Sequence, residues 1–519
     1  MKNYKIYLSL ILISFVGFFS CELKEDPNFL SSTNLFEDVD GANIALNGVY
    51  GAMIDYGYYA SEFHHALNWT SGMYNSNRDG SLKDIAALNP SPNDKFISNL
   101  WAGIYRTISR ANNVINQLEE KDLGNPGKRD EILGQALFIR ALAYFDLVRV
   151  FGKAPLITDA ISSDDPSTAL SSSDEIFAQI IEDGEKAANL MADLGDNEKG
   201  RPAKYAANML MAKVYMWMAG NKTAAETDLW QKAYDHAIKV YGKYELMDNF
   251  GDLWQDATRN NNKESIFELQ ANLENPMRLL KYWTASKATI GGNTWARFKP
   301  NLEVYDRHLA TYPDDPRIKY TFVTEYNRYK PNGTFTVNKT YPAFTARNNK
   351  DKSYPYGYKY FIKNALLVNT DTDLNFVLFR YADLLLMLAE IENELNGPAD
   401  AYQYVNEVLT RARNSADTTV TSPANWEGMS QESFRKAITK EYIFELQQEG
   451  QDFFNVRRRG YDFFKEFVID AHNNHPVYDF KKSRDVEFSD NSRIMVLPIP
   501  ESEINSNAKI SAADQNEGY

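Results

Sequence analysis

The sequence is short of cysteine: its 519 residues include one, Cys21. A lone thiol excludes an internal disulfide framework. Long hydrophobic runs are also missing. The single apolar stretch, Ile6 to Phe19, is broken by Tyr7, Ser9, Ser14 and Gly17. It falls below the ~20 residues that a membrane-spanning helix needs. Positive charge is in deficit, with 56 Lys and Arg against 70 Asp and Glu and a formal net charge of −14. That balance argues against a nucleic-acid partner, whose binding rests on clustered Lys and Arg. No G-x-S-x-G elbow and no glycine-rich phosphate loop occur. There are six histidines, and His472 and His475 lie three apart in a polar loop, with no cysteine set or carboxylate pair beside them. A zinc site is not expected there, and no cofactor is implied.

What is present begins at the N-terminus. Lys2 and Lys5 precede the apolar run, and small Ser20 precedes Cys21. Positive, apolar, small, then a cut is the order of a secretory signal. A cysteine directly after the cut can carry a diacylglycerol on its thiol and a third acyl chain on its freed amine. Buried chains hold a protein to a bilayer at ~0.8 kcal/mol per CH2. Residues 1–20 therefore read as a lipoprotein signal peptide, Cys21 as the lipidation site, and 21–36, with Glu22, Glu25 and Asp26, as a flexible tether. Phe18 stands where bacterial lipoprotein signals usually have Leu.

Most of the remaining chain has helical periodicity. Ile132, Ala136, Ile139, Ala143 and Leu147 form one stripe, as do Ala207, Leu210, Val214 and Trp217. Small Ala alternating with large aromatics permits close helix crossings, the physics of tetratricopeptide-type pairs. Four pairs are expected: 38–56 with 98–119, 130–151 with 174–194, 203–219 with 229–242, and 376–396 with 399–414. Two stretches, 56–97 and 250–375, are irregular, the second with strand-like runs such as "TFTVNKTY". Loops this long in a compact body are functional or disordered, and their aromatic content argues against disorder.

Six ordered segments resemble the SusD/RagB family of outer-membrane nutrient-binding lipoproteins of Bacteroidetes. They are "SCELKED", "LNGVYGAM", "LWAGIYRTISRANNVINQLE", "ALFIRALAYFDLVRVFGKAPLIT", "EYIFELQQEGQDFFNVRRRG" and "VLPIPESEINSNAKISAADQNEGY". In the fifth, Gln451, Asp452 and Asn455 depart from the Arg and Asp usual there. The resemblance implies a mainly α fold: a helical scaffold of four tetratricopeptide-like pairs plus a loop-rich variable subdomain with short strands. The expected division places the SusD-like domain at 37–519. Its scaffold covers about 37–250 and 376–460, its variable ligand-binding subdomain about 250–375, and its closing segment about 461–519. The implied activity is binding of oligo- or polysaccharide at the cell surface, without catalysis. The implied partner is a SusC-like TonB-dependent outer-membrane transporter, to which the ligand is delivered. A peptide- or partner-binding adaptor, or a glycoside hydrolase on a helical scaffold, remain the alternatives.

In the family, the ligand surface is built from the early loop and from the segment preceding a run that survives here as "KPNLEVYDRHLATYPDDPR". The corresponding segments are 56–80 and 281–298. Sugars expose flat C–H faces and a rim of hydroxyls, so a binder needs aromatic planes and short polar groups. Trp69, Trp283 and Trp295 are the candidate planes. Tyr74, Asn75, Arg78, Asp79, His65 and Arg297 are the candidate polar or mixed contacts. Trp101, Trp217 and Trp230 read as packing.

Overall fold

The computed structural model describes residues 35–76, 82–119, 121–159, 166–193, 200–344, 352–363, 370–481 and 485–519. Cys21 and the signal and tether before residue 35 lie outside them, as do Arg78 and Asp79. The principal helices of the first half are α1 (Val39–Met53), α2 (Glu62–Thr70), α3 (Lys95–Glu119), α4 (Pro126–Phe151), α5 (Ser173–Leu190), α6 (Lys204–Ala219) and α7 (Leu229–Val240). Local chemistry sets their ends. Asn125 caps α4 by accepting from Lys128 N at 3.2 Å, with Pro126 in the first turn, where a missing N–H costs nothing. Ser172 and Glu175 close a reciprocal capping box on α5.

The expected pairs form: α1 lies on α3, α4 on α5, and α6 on α7. Each pair also packs on the next, so the stripes found in sequence become one continuous core. Ile132, Ala136, Ile139, Ala143 and Leu147 are all buried. The fourth pair, α10 (Tyr381–Asn396) and α11 (Pro398–Asn414), comes after the second irregular stretch and docks α10 against α7. Gly397 joins them at φ 85°, a backbone state that costs glycine little, and Pro398 then opens α11. Helix α12 (Gln431–Leu446) packs on α10, followed by α13 (Asp452–Arg457).

One boundary differs from the sequence reading. Residues 376–380 are strand, not the start of a helix: β6 (Phe376–Arg380) pairs antiparallel with β2 (Ser265–Leu269). The run Phe-Val-Leu-Phe-Arg is apolar and β-prone, so its periodicity does not distinguish strand from buried helix. A partner strand distant in sequence decides it.

The two irregular stretches meet through a two-residue ladder. Strand β1 (Tyr74–Asn75) pairs with β3 (Lys299–Pro300), Tyr74 opposite Pro300 and Asn75 opposite Lys299. Asn301 reinforces the joint, its backbone N–H donating to Met73 O and its side-chain amide to Gly72 O, both at 2.8 Å. Between β2 and β3 sits the short helix α8 (Leu279–Trp283), and after β3 come α9 (Leu302–Thr311) and a hairpin of β4 (Glu325–Tyr329) and β5 (Phe335–Lys339). The chain ends by closing on α4: Asn516 donates its amide to Phe151 O at 2.9 Å and Leu497 O at 2.7 Å.

A buried ion network fastens the second irregular stretch to the helices. Arg380 bonds Glu264 and Glu449 at 2.6 Å and Glu445 at 2.7 Å. Arg411 pairs with Glu264 at 2.9 Å, Arg317 with Asp315 at 2.7 Å and Glu441 at 2.6 Å, and Lys359 with Glu449. Burial raises the Glu441 carboxyl above its ordinary value, against the Arg317 guanidinium that lowers it, in a cluster with one more carboxylate than cations. The "VRRRG" cations are likewise consumed inside: Arg457 donates to Thr70 O at 2.6 Å, and Arg458 and Arg459 pair with Glu390.

Candidate functional site

The structure corrects two of the three proposed aromatic planes. Trp69 and Trp283 have no exposed surface. An indole enclosed on both faces has none to offer a sugar ring. Trp69 stands in α2, whose nine residues are all buried, and its ring meets Phe96 at 5.2 Å and Phe298 at 5.6 Å. Trp283 ends α8 against Tyr74 and Phe298, both at 5.1 Å between ring centroids. Gly357 lies so close that a Cβ there would stand 2.6 Å from the Trp283 ring.

His65, Tyr74 and Asn75 are interior as well. His65 stacks on Phe96 at 4.9 Å, its Nδ1 lies 3.0 Å from Ser61 O, and burial pushes its pKa down to about 3, which keeps it neutral. Tyr74 donates its hydroxyl to Asp452 at 2.5 Å and accepts from Gln448 N at 2.9 Å. Asp452, a departure from the family's pattern, is thus a structural acceptor, with its pKa pushed up to about 6 by burial. Asn75 is held in β1 by its backbone, and its side chain is buried. Tyr58, Tyr59 and His64 are core residues too. The two histidines in "HNNH" bind carboxylates separately, His472 to Glu303 at 2.9 Å and His475 to Asp306 at 3.2 Å. Among the described residues, no group of three or more His, Cys, Asp or Glu is placed to hold a metal. Trp101 and Trp230 are buried and Trp217 half-buried.

Trp295 and Arg297 are different: both are half-exposed. The Trp295 backbone N–H donates to Lys281 O at 2.8 Å and that of Arg297 to Tyr282 O at 2.6 Å, fixing the segment to α8. The Trp295 indole N–H donates to Asn293 Oδ1 at 2.8 Å. Its ring lies 5.8 Å from that of buried Tyr282, with the Lys281 ammonium at 4.4 Å and the Arg297 guanidinium at 5.1 Å from its centroid. Beside this group Tyr56 is 44% exposed, with the Arg278 guanidinium 5.1 Å from its ring. Arg278, Lys281 and Arg297 make no ion pair with a described residue.

Beneath the surface runs a polar relay. Ser61 Oγ donates to Glu62 at 3.2 Å and lies 3.0 Å from the Tyr282 hydroxyl. Glu62 is 1% exposed, and burial lifts its pKa to about 7. Of the buried rings, Tyr282 backs Trp295 directly, and His65, Phe298, Trp69 and Phe96 pack in turn around Tyr282 and one another. The arrangement offers two aromatic faces, an amide and three cations around them. Tyr56, Arg278, Lys281 and Asn293 were not singled out from sequence. Tyr56 and Lys281 stand at the edges of the two segments inspected, and Arg278 just outside.

A family model described as SusD family matches residues 176–519, well over half of the chain. The chain belongs to the SusD family. A second model, described as starch-binding associating with outer membrane, matches residues 29–216. Among curated SusD-like relatives, SusD-like protein P25 of Formosa agariphila is 25% identical, over 89% of this chain and 90% of its own. A SusD homolog from Bacteroides thetaiotaomicron has a solved structure that superposes with a TM-score of 0.77 at 21% identity, covering 94% of this chain and 98% of that one. A neighbour solved with xylogluco-oligosaccharide gives a TM-score of 0.71 at 20% identity, over 90% and 97% of the two chains. Another, described as a laminarin binding SusD-like protein, gives 0.68 at 20%, over 93% and 100%. These neighbours share the SusD fold that the helical pairs form here. No helix among the described residues is long and apolar enough to cross a membrane.

Proposed function

We propose that this SusD-family protein binds oligo- or polysaccharide at the outer face of the outer membrane, anchored through lipidated Cys21, and delivers it without cleavage to a SusC-like TonB-dependent transporter. The observation that carries the reading is the half-exposed Trp295, backed by buried Tyr282 and surrounded by Lys281, Asn293 and Arg297. Trp295 and Tyr56 supply faces for sugar C–H surfaces. The amide and cations supply donors for hydroxyl and ring oxygens. Arg78 and Asp79, which lie outside the described residues, are proposed from sequence as further polar contacts. The solved neighbours with xylogluco-oligosaccharide and laminarin in their descriptions support carbohydrate as the ligand class.

The energetics suit capture and release. Two sugars on two rings bury ~150 Å2 of apolar surface, worth ~4 kcal/mol before ordering costs, which corresponds to roughly millimolar binding at best. The test is affinity electrophoresis and calorimetry of the mature protein against starch, laminarin and xyloglucan. Trp295→Ala is expected to weaken binding of the polysaccharide that the parent retains by about tenfold or more, with its unfolding midpoint unchanged. No reducing ends should appear on prolonged incubation. Undiminished binding by Trp295→Ala overturns the site, and product release overturns the non-catalytic reading.

A further inference from the structure

The hairpin of the second irregular stretch has an apolar face that the fold leaves open. Phe335 and Val337, on β5, are each 52% exposed. Their cross-strand partners are Tyr329 and Asn327, so the four side chains share one face of the hairpin, with the Tyr329 and Phe335 rings 5.4 Å apart. Tyr329 and Asn327 also wall a groove of about 410 Å3, lined in addition by Thr324, Tyr326, Tyr358 and Phe361. Lys319, Glu325 and Lys363 also line it, so the groove, like the Trp295 surface, sets aromatic rings among polar and charged groups.

The groove and the Trp295 surface share one piece of chain. The loop that follows α8 is closed at its base by the bond from Trp295 N to Lys281 O and stitched inside by Thr294 Oγ1 to Ala285 O at 2.9 Å. On its other side Lys287 O accepts from Tyr329 N at 2.8 Å, and Ala288 lines the groove. Trp295 stands at the base of this loop, where its two ends meet, and the hairpin rests on its middle through Lys287. The loop thus links the two surfaces through residues Lys287 and Ala288.

We infer that the β4–β5 face and its groove form a second subsite for the glycan chain held at Trp295, so that the ligand is an extended chain gripped on both sides of the loop. This rests on the carbohydrate-binding reading above. Two weak contacts on one polymer multiply, because the second forms at the high effective concentration set by the first. A short oligosaccharide reaches only one of them.

The experiment compares the parent protein, Trp295→Ala and the double variant Tyr329→Ser/Phe335→Ser. Laminarin and xyloglucan are the probes, each as polymer and as oligosaccharides of graded length, with circular dichroism to verify folding. Phe335→Tyr serves as the conservative control that keeps the ring. The hairpin variant is expected to lose about five- to tenfold in affinity for the polymer and nothing for the shortest bound oligosaccharide. Phe335→Tyr should bind as the parent does, and Trp295→Ala should lose both ligands. Unchanged polymer binding in the hairpin variant, with Trp295→Ala still impaired, overturns the second subsite and leaves the first standing. Equal losses on long and short ligands also overturn it. If Trp295→Ala binds like the parent, the failure belongs to the primary site.

Discussion

Glu62 shows what burial does to a single carboxyl group. Its side chain lies under the exposed rings, and its pKa rises from 4.5 to about 7 because burial penalises the charged form more than Ser61, Tyr56 and Lys95 favour it. Between those two values the folded state holds a proton that the unfolded chain has lost. Stability attributable to this group therefore falls as pH rises from about 4.5 through about 7. Glu62→Gln removes the penalty. We expect the variant to match the parent near pH 5 and to exceed it at pH 8 by about 2–3 kcal/mol, read from urea unfolding at both values. A constant difference across that range would refute the assignment. His64 and His65 act in the opposite direction. Both are held neutral with pKa near 3, so their contribution is intact above the unfolded value of about 6.5 and is lost as pH falls toward 3.

At the scale of elements, the sequence revealed the helices and concealed the environment of α2. Alternating small and large residues made the four pairs legible, and Asn125 and Gly397 marked their ends. Helix α2 reads as exposed loop because it carries Glu62, His64, His65, Asn68 and Thr70. All are buried, several of them bonded within the helix or to Ser61, beneath a segment more than 200 residues later in the chain. A local pattern cannot register that cover, and for the same reason Trp69 looked available. Trp295 was legible because its own segment, rich in Gly and Asn, places it at a surface. Strand β6 carries the other element-scale consequence. Its Arg380 bonds three glutamates that come from β2 or its approach and from the region ending α12. Arg380→Leu leaves buried carboxylates undercompensated, and a loss of about 3–5 kcal/mol in urea unfolding is expected. Lys319→Ala, which breaks an exposed pair with Asp417, should cost under ~1 kcal/mol. Similar costs for the two would deny the network its role.

At the scale of the whole molecule, helical pairs make one continuous scaffold, and the two irregular stretches converge on its side through β1 and β3. The net charge of −14 belongs to the molecule as a whole, whereas the candidate site presents Arg278, Lys281 and Arg297. Overall acidity therefore says little about what the site accepts. The contrast among the indoles has an optical consequence. Trp69, Trp230 and Trp283 are sealed from solvent, Trp101, Trp254 and Trp426 nearly so, and Trp217 and Trp295 are half-buried. Emission should be dominated by a blue-shifted population that acrylamide reaches slowly, with a small red-edge fraction that it quenches readily. Saturating polysaccharide ought to shield part of that red-edge fraction and leave the blue bulk as it was, and Trp295→Phe should abolish the shielding. A ligand that altered the blue emission instead would be reporting a rearranged interior.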